Sequence, residues 1–279
     1  MDYNRILLVV SSEDPAGITF CKVLQERFGF HPTSVDGEVA LYRNQQGQLL
    51  ASIPIPPIYA DDLEQRLEPR ILDQTLAYIF LAKHFSKEGV PALTAHFPGN
   101  PHSEATFGGR PREVAWVWPS LLKNYLQRLV ARAGSMDNFD IVMEATHHGP
   151  TALSKPVMFV ELGSTQREWE KREFAELILE ALFEALENFE PARQIALGFG
   201  GPHYCHKFMK LILEGSYALA GVVAKYSLHS FDREISDQFL AKSIEPITHV
   251  AIDWKGVSGS VRERVSSWAS ERGLNIIRL

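Results

Sequence analysis

Short apolar runs alternate with longer stretches of helical spacing along the chain, a pattern that predicts an α/β fold with a mixed, largely parallel sheet. Residues 5–10 read as a first strand. Asp14 and Pro15 then open a helix to about residue 28, because aspartate caps free amides and proline is tolerated in the first turn. A hairpin is expected from 38–43 and 48–53 around Asn44-Gln45-Gln46-Gly47, followed by a proline- and acid-rich loop over 54–69. Strands at 76–82 and 91–96 precede a turn-rich excursion over 97–113; loops of that length inside a domain are usually functional or mobile. Leu121, Leu122, Tyr125, Leu126 and Leu129 recur at helical spacing within a helix over 119–133.

Residues 139–143 and 157–162 read as buried strands. Thr165 and Glu168 form a capping box for a long helix to about residue 188, with an apolar stripe from Phe174 to Leu186. Strands at 193–199, 217–224, 247–252 and 274–278 complete the pattern, with helices over 234–243 and 258–271 between the last three. With no internal repeat and no linker, residues 1–279 are read as a single domain.

Composition narrows the class. Hydrophobic residues make up 45% of the chain, enough for a substantial core, yet every apolar run falls short of the ~20 residues of a membrane helix. The start, Met1-Asp2-Tyr3-Asn4-Arg5, leads directly into a strand, so no signal peptide is expected. Cys21 and Cys205 are too few for a disulfide scaffold and fit a reducing, cytoplasmic setting. A net charge of −6 counts against broad, non-specific nucleic-acid binding and leaves room for a local basic patch.

Chemistry concentrates in loops that follow strands, where open α/β sheets place their ligands. The most informative is Glu144-Ala145-Thr146-His147-His148-Gly149-Pro150-Thr151, which crowds two imidazoles, a carboxylate and two hydroxyls into a turn. His96 to His102 and His203 to His206 are two further histidine loops. Convergence of the three at one sheet edge would make a metal or acid/base site, since neutral imidazole and carboxylate are zinc ligands. Glu144 and Glu161 end strands expected to be neighbours and are candidates for ligand or general base. The competing account is that the histidines cap loop carbonyls. Cys205 is a candidate ligand or nucleophile, or simply a small buried hydrophobe. Gly163-Ser164-Thr165 at a helix start could hold an anion. Gly198-Phe199-Gly200-Gly201 follows a strand, but Pro202 interrupts any dinucleotide fingerprint.

Five segments together resemble the archaeal and plant type of D-aminoacyl-tRNA deacylase. They are Leu93-Thr94-Ala95-His96-Phe97-Pro98-Gly99-Asn100, Ala105-Thr106-Phe107-Gly108-Gly109, the segment from Glu144 to Thr151, Val160-Glu161-Leu162-Gly163-Ser164-Thr165, and Gly198-Phe199-Gly200-Gly201-Pro202-His203-Tyr204. They run in the family's order; Pro202 stands where glycine is expected, and the match ends before Cys205-His206. The resemblance implies a three-layer α/β/α fold similar to the phosphorylase and peptidyl-tRNA hydrolase group. It also implies a zinc-dependent hydrolase that releases a D-amino acid from mischarged tRNA.

On that footing the metal candidates are His96, His147, His148, Glu161 and His203. The catalytic candidates are His147, His148 and Glu144, with Thr146 and Thr151 as oxyanion donors. Phe107, Arg110, Arg112 and Tyr204 are candidates for gripping the tRNA end by stacking and phosphate contact. Another zinc-dependent amide or ester hydrolase, or a non-catalytic tRNA-binding protein, stays open; a basic groove leading to the histidines would favour a tRNA substrate. Monomer and homodimer are equally compatible with the sequence.

Overall fold

The computed structural model describes residues 3–134 and 139–279; Met1 and Asp2, where the N-terminal lead begins, lie outside them. From the N-terminus the chain forms β1 (Ile6–Ser11), α1 (Pro15–Phe28), β2 (His31–Asp36), β3 (Val39–Arg43) and β4 (Leu49–Ile53). Then come α2 (Pro69–Gln74), β5 (Ala77–Lys83), β6 (Ala92–His96), the two-residue strands β7 (Gly99–Asn100) and β8 (Glu113–Val114), and α3 (Pro119–Ala133). β9 (Asp140–Met143), β10 (Val157–Gly163), α4 (Gln166–Trp169) and α5 (Arg172–Glu187) follow. The last part comprises β11 (Gln194–Phe199), α6 (His206–Glu214), β12 (Tyr217–Val223), α7 (Arg233–Ala241), β13 (His249–Ile252), α8 (Gly259–Glu271) and β14 (Asn275–Arg278).

These strands divide into two main sheets. The larger runs β2-β3-β4-β1-β5-β10-β6-β9, and the smaller, all-parallel one runs β12-β11-β13-β14. Parallel pairings predominate, and helices pack on the sheets in layers, so the fold is of the expected three-layer α/β/α class. One reversal matters for function: β10 is parallel to β5 but antiparallel to β6, with Glu161 opposite Thr94 and Phe159 opposite His96.

Alternation along β10 explains which residues meet. Met158, Val160 and Leu162 face an apolar core shared with α1, α3, α5 and the smaller sheet, where Phe20, Leu126, Ile178, Leu219 and Val250 are fully buried. Val157 and Phe159 face a second core with Leu7, Val9 and Phe80. Burial of each such large side chain contributes about 1.5–3 kcal/mol. Glu161 falls on that second face by the same period of two, as do Thr94 and His96 on β6, so carboxylate and imidazole are carried into a buried layer by strand geometry.

Several elements differ from the sequence reading. Residues 31–36 form β2, which extends the hairpin antiparallel to β3. The loop over 54–69 holds two 3₁₀ turns and leads into α2. The long helix after the capping box is interrupted: Trp169 donates its indole N–H to the His84 carbonyl at 2.8 Å, Lys171 is extended, and α5 restarts behind it. α6 begins at His206, directly after the last histidine loop, and buries Phe208, Met209 and Ile212.

The two sheets are joined along residues 143–146. The Glu144 amide donates to Ala95 of β6 at 3.1 Å, while the Ala145 and Thr146 amides donate to His203 and Val222, both at 2.9 Å. The Cys205 amide returns to Met143 at 2.9 Å. The histidine loop is therefore the seam between the sheets.

Candidate active site

Five imidazoles and two carboxylates gather at this seam. β6 supplies His96, the seam supplies Glu144, His147 and His148, β10 supplies Glu161, and the segment after β11 supplies His203. The ring centroids of His96 and His147 lie 4.3 Å apart, those of His147 and His148 4.3 Å, and those of His147 and His203 4.5 Å. The three histidine loops thus converge, although Glu161 and His96 sit on the face of the sheet rather than at its rim. The sequence reading puts Glu144 and Glu161 on neighbouring strands; in the structure β6 lies between β9 and β10.

The fifth imidazole, His84, was not among the residues singled out from sequence. It follows β5, and its Nδ1 lies 2.9 Å from a Glu144 oxygen and 3.4 Å from a Glu161 oxygen. Its Nε2 is 2.6 Å from the Tyr204 hydroxyl. A titratable residue one step past a central parallel strand is where α/β sheets put functional groups, and that was the available signal.

Backbone geometry fixes two of the rings. His147 Nδ1 contacts the Ala145 carbonyl at 2.8 Å and His148 Nδ1 the Gly149 carbonyl at 2.6 Å. A carbonyl only accepts, so each Nδ1 carries the proton and each Nε2 is left with its lone pair directed away from the bond. His148 holds φ at 47°, a left-handed conformation in which histidine is one of the more tolerated residues. The Gly99 amide bridges to the His147 and His148 carbonyls at 3.2 and 2.7 Å, which pins the turn against β7.

Charge follows from burial and contact. Burial holds the His147 pKa well below the usual range, and the adjoining His96 and His148 push it down further. Burial also lowers His148. For His84 burial again opposes charge, but the two carboxylates outweigh it and push the pKa up to about 11. His96 is raised by Glu161 in the same way. Burial opposes ionisation of Glu144 and Glu161, yet their histidine contacts hold both well below the ordinary carboxylate range. The centre therefore contains two anionic carboxylates, a cationic His84 and two neutral imidazoles.

The donor set fits a divalent cation. His96 is fully buried, and neither of its ring nitrogens has a well-directed hydrogen bond. Over nine-tenths of buried polar groups are normally partnered, so an orphaned imidazole marks a place where something binds. His96, His147 and His148 offer nitrogens within 4.8 Å of one another, as do the ligand atoms of Glu144, His147 and His203 and those of His84, Glu144 and Glu161. Neutral imidazoles locked by carbonyls through Nδ1 are the usual state of zinc-ligating histidine.

The Thr146 hydroxyl is buried and unpartnered. The Thr151 hydroxyl is occupied: it accepts the Arg110 amide at 2.8 Å and donates to Glu113 at 3.2 Å, which makes it a loop latch and not an oxyanion donor. Tyr204 has its hydroxyl on His84 and is part of the centre rather than a stacking platform. Arg112 pairs with Asp232 at 2.6 Å and Glu234 at 2.9 Å, so its charge is already matched. Phe107 and Arg110 are exposed. His206 points away, 3.4 Å from Asp140. Burial pushes the Cys205 thiol up, which keeps it protonated and unsuited to nucleophilic attack.

An α/β enzyme with a buried imidazole–carboxylate centre is the class that fold and site define. A family model described as D-aminoacyl-tRNA deacylase matches residues 72–277. The D-aminoacyl-tRNA deacylase of Cenarchaeum symbiosum is 35% identical over 97% of this chain and 98% of the relative. That of Aeropyrum pernix is 32% identical over 98% and 99%. The crystal structure of a conserved protein of unknown function, AF0625, is similar with a TM-score of 0.89 at 31% identity, covering 98% of this chain and 94% of that one. The chain belongs to the D-aminoacyl-tRNA deacylase family, a family of hydrolases.

Proposed function

We propose that this chain hydrolyses the ester between a D-amino acid and the terminal ribose of tRNA, with zinc held by His96, His147 and His148. The observation that carries the chemistry is the meeting of these three rings, one buried and two half-buried, with two ionised carboxylates at the seam between the sheets. When bound, zinc supplies a water acidified toward neutral pH and polarises the ester carbonyl. Glu144, 3.5 Å from His147 Nε2 and 3.2 Å from His203 Nε2, takes the water proton as general base. The water oxygen bonds to the carbonyl carbon, the carbon–oxygen bond to ribose breaks, and the proton passes to the ribose oxygen through His203. Free D-amino acid and tRNA leave. The Thr146 hydroxyl is the buried donor proposed for the oxyanion. Glu161 balances the ligand histidines, and His84 holds both carboxylates in place.

Purified protein incubated with D-tyrosyl-tRNA and L-tyrosyl-tRNA tests the reading. Loss of the D-ester alone, abolished by a chelator and restored by zinc, is the expected result. Folded, zinc-loaded protein that hydrolyses neither ester would overturn it.

A further inference from the structure

A cavity of about 700 Å³, lined by none of the centre's own residues, lies between the N-terminal end of α7, the middle of α8 and the 97–113 excursion. Its size falls within the roughly 300–1,000 Å³ of small-molecule sites. Arg112, Arg233 and Arg264 line it, with Trp268 and Phe231 at its apolar base. Asp232 and Glu271 are its carboxylates. Asp232 is engaged by Arg112, while Arg233 stays 3.9 Å from both Asp237 and Glu271, beyond hydrogen-bond range. Arg264 donates to the Leu228 carbonyl and has no carboxylate within ion-pair distance among the described residues. Arg233 and Arg264 therefore keep donors for an incoming anion.

The cavity is wired to the centre through one short element. The 3₁₀ turn Lys225–Ser230 carries Tyr226, an exposed residue whose hydroxyl lies 3.1 Å from His203 Nδ1. Three residues on, His229 lines the cavity. At about 2 Å of rise per residue the two are about 6 Å apart along the turn, a short step for an extended polynucleotide. The opposite wall comes from Ser103 and Arg112, in the excursion whose Phe107 carbonyl accepts the Gly149 amide beside His148.

We infer that this cavity holds the single-stranded 3′ end of the substrate RNA, just upstream of the esterified nucleotide; the inference rests on the deacylase reading. The terminal base stacks on the exposed Tyr226 ring, and the preceding phosphates fall to Arg233 and Arg264. Aromatic faces and arginines in one groove are how single strands are bound without a paired partner. The arrangement also lets a chain of net charge −6 confine its nucleic-acid contacts to one groove.

Fluorescence anisotropy with a labelled tRNA acceptor minihelix, with and without its three unpaired 3′ nucleotides, tests the assignment. The wild-type protein binds the complete minihelix at least tenfold more tightly than the trimmed one. Arg233→Glu and Arg264→Glu each erase most of that difference and flatten the slope of log affinity against log salt by about 0.7 per lost phosphate. Arg264→Lys keeps most of it, which separates lost charge from lost structure. An unchanged difference and an unchanged salt slope in both charge-reversal variants would overturn the assignment. Failure of the wild-type protein to hydrolyse D-tyrosyl-tRNA would count against the proposed function instead, and the minihelix comparison reads the cavity independently of turnover.

Discussion

His84 is buried and His147 half-buried in the same centre, yet one is driven cationic and the other neutral. Two carboxylates outweigh burial at His84, whereas at His147 the adjoining imidazoles reinforce it against the single opposing charge of Glu144. Replacing each by alanine should therefore give different phenotypes. His147→Ala is expected to fail to retain zinc and to lose at least 100-fold in D-tyrosyl-tRNA turnover while unfolding near the denaturant midpoint of the chelator-treated wild type. Metal analysis beside a deacylation assay reads both. His84→Ala strips the buried cation from Glu144 and Glu161, and breaking such a pair costs about 3–5 kcal/mol. Equilibrium denaturation checks this, and an unshifted midpoint would remove His84 from its positioning role. His147, His148, His96 and His203 were legible in the sequence because each sits beside a glycine–proline turn. His84 was not, because its one signal, a place directly after a strand, lacks such a turn; it becomes part of the site only when Glu144 arrives from elsewhere in the chain. The converse holds for Thr151 and Arg112, whose side chains carry suitable chemistry but are engaged by Glu113, Asp232 and Glu234.

Elements place these residues through contacts that leave little slack. The Asp14 carboxylate caps α1 through the Gly17 amide at 2.8 Å and also accepts the Lys83 amide, one residue before His84. Asp14→Ala should cost about 1–2 kcal/mol, the upper range for a lost cap, measured by urea unfolding. Gly108 and Gly149 let two loops touch backbone to backbone: an added Cβ would stand 1.9 Å from the Ile58 carbonyl oxygen at Gly108 and 2.2 Å from the Gly109 amide at Gly149. Gly149→Ala is expected to push the excursion off the histidine turn and lower turnover more than tenfold. A kinetic assay together with a thermal melt would detect it, and wild-type values in both would show that the loops are free to separate. Period and capping rules found α1, α3 and most strands to within a residue or two. They missed β2, where Pro32, Thr33 and Ser34 give no strand signal and the strand exists through its pairing with β3. They missed the break before α5 because it depends on Trp169 reaching the His84 carbonyl.

Across the whole molecule, the proposed ligands come from β6 and the seam, with Val222 of the smaller sheet and His203, which follows β11, holding the seam from the other side. An ion held by both β6 and the seam binds the folded form and not the unfolded chain. Zinc at 100 times its dissociation constant should add about 2.7 kcal/mol of stability. Calorimetry with zinc and with chelator would show it as a rise in Tm; an identical Tm in both would mean that no metal is bound. Among the described residues, no helix is long and apolar enough to cross a membrane. The alternation of strands and helices announced the α/β class, but not the division into two sheets, since strand pairing is decided by contacts distant in sequence.

That seam also sets an order of events. The backbone groups that hold Ala145 and Thr146 belong to His203 and Val222, synthesised 58 and 76 positions later. A chain still emerging from the ribosome can complete its first strands and expose the paired histidines, but it cannot lock them. The histidine turn, and with it the proposed ligand set, is thus locked only near the end of synthesis.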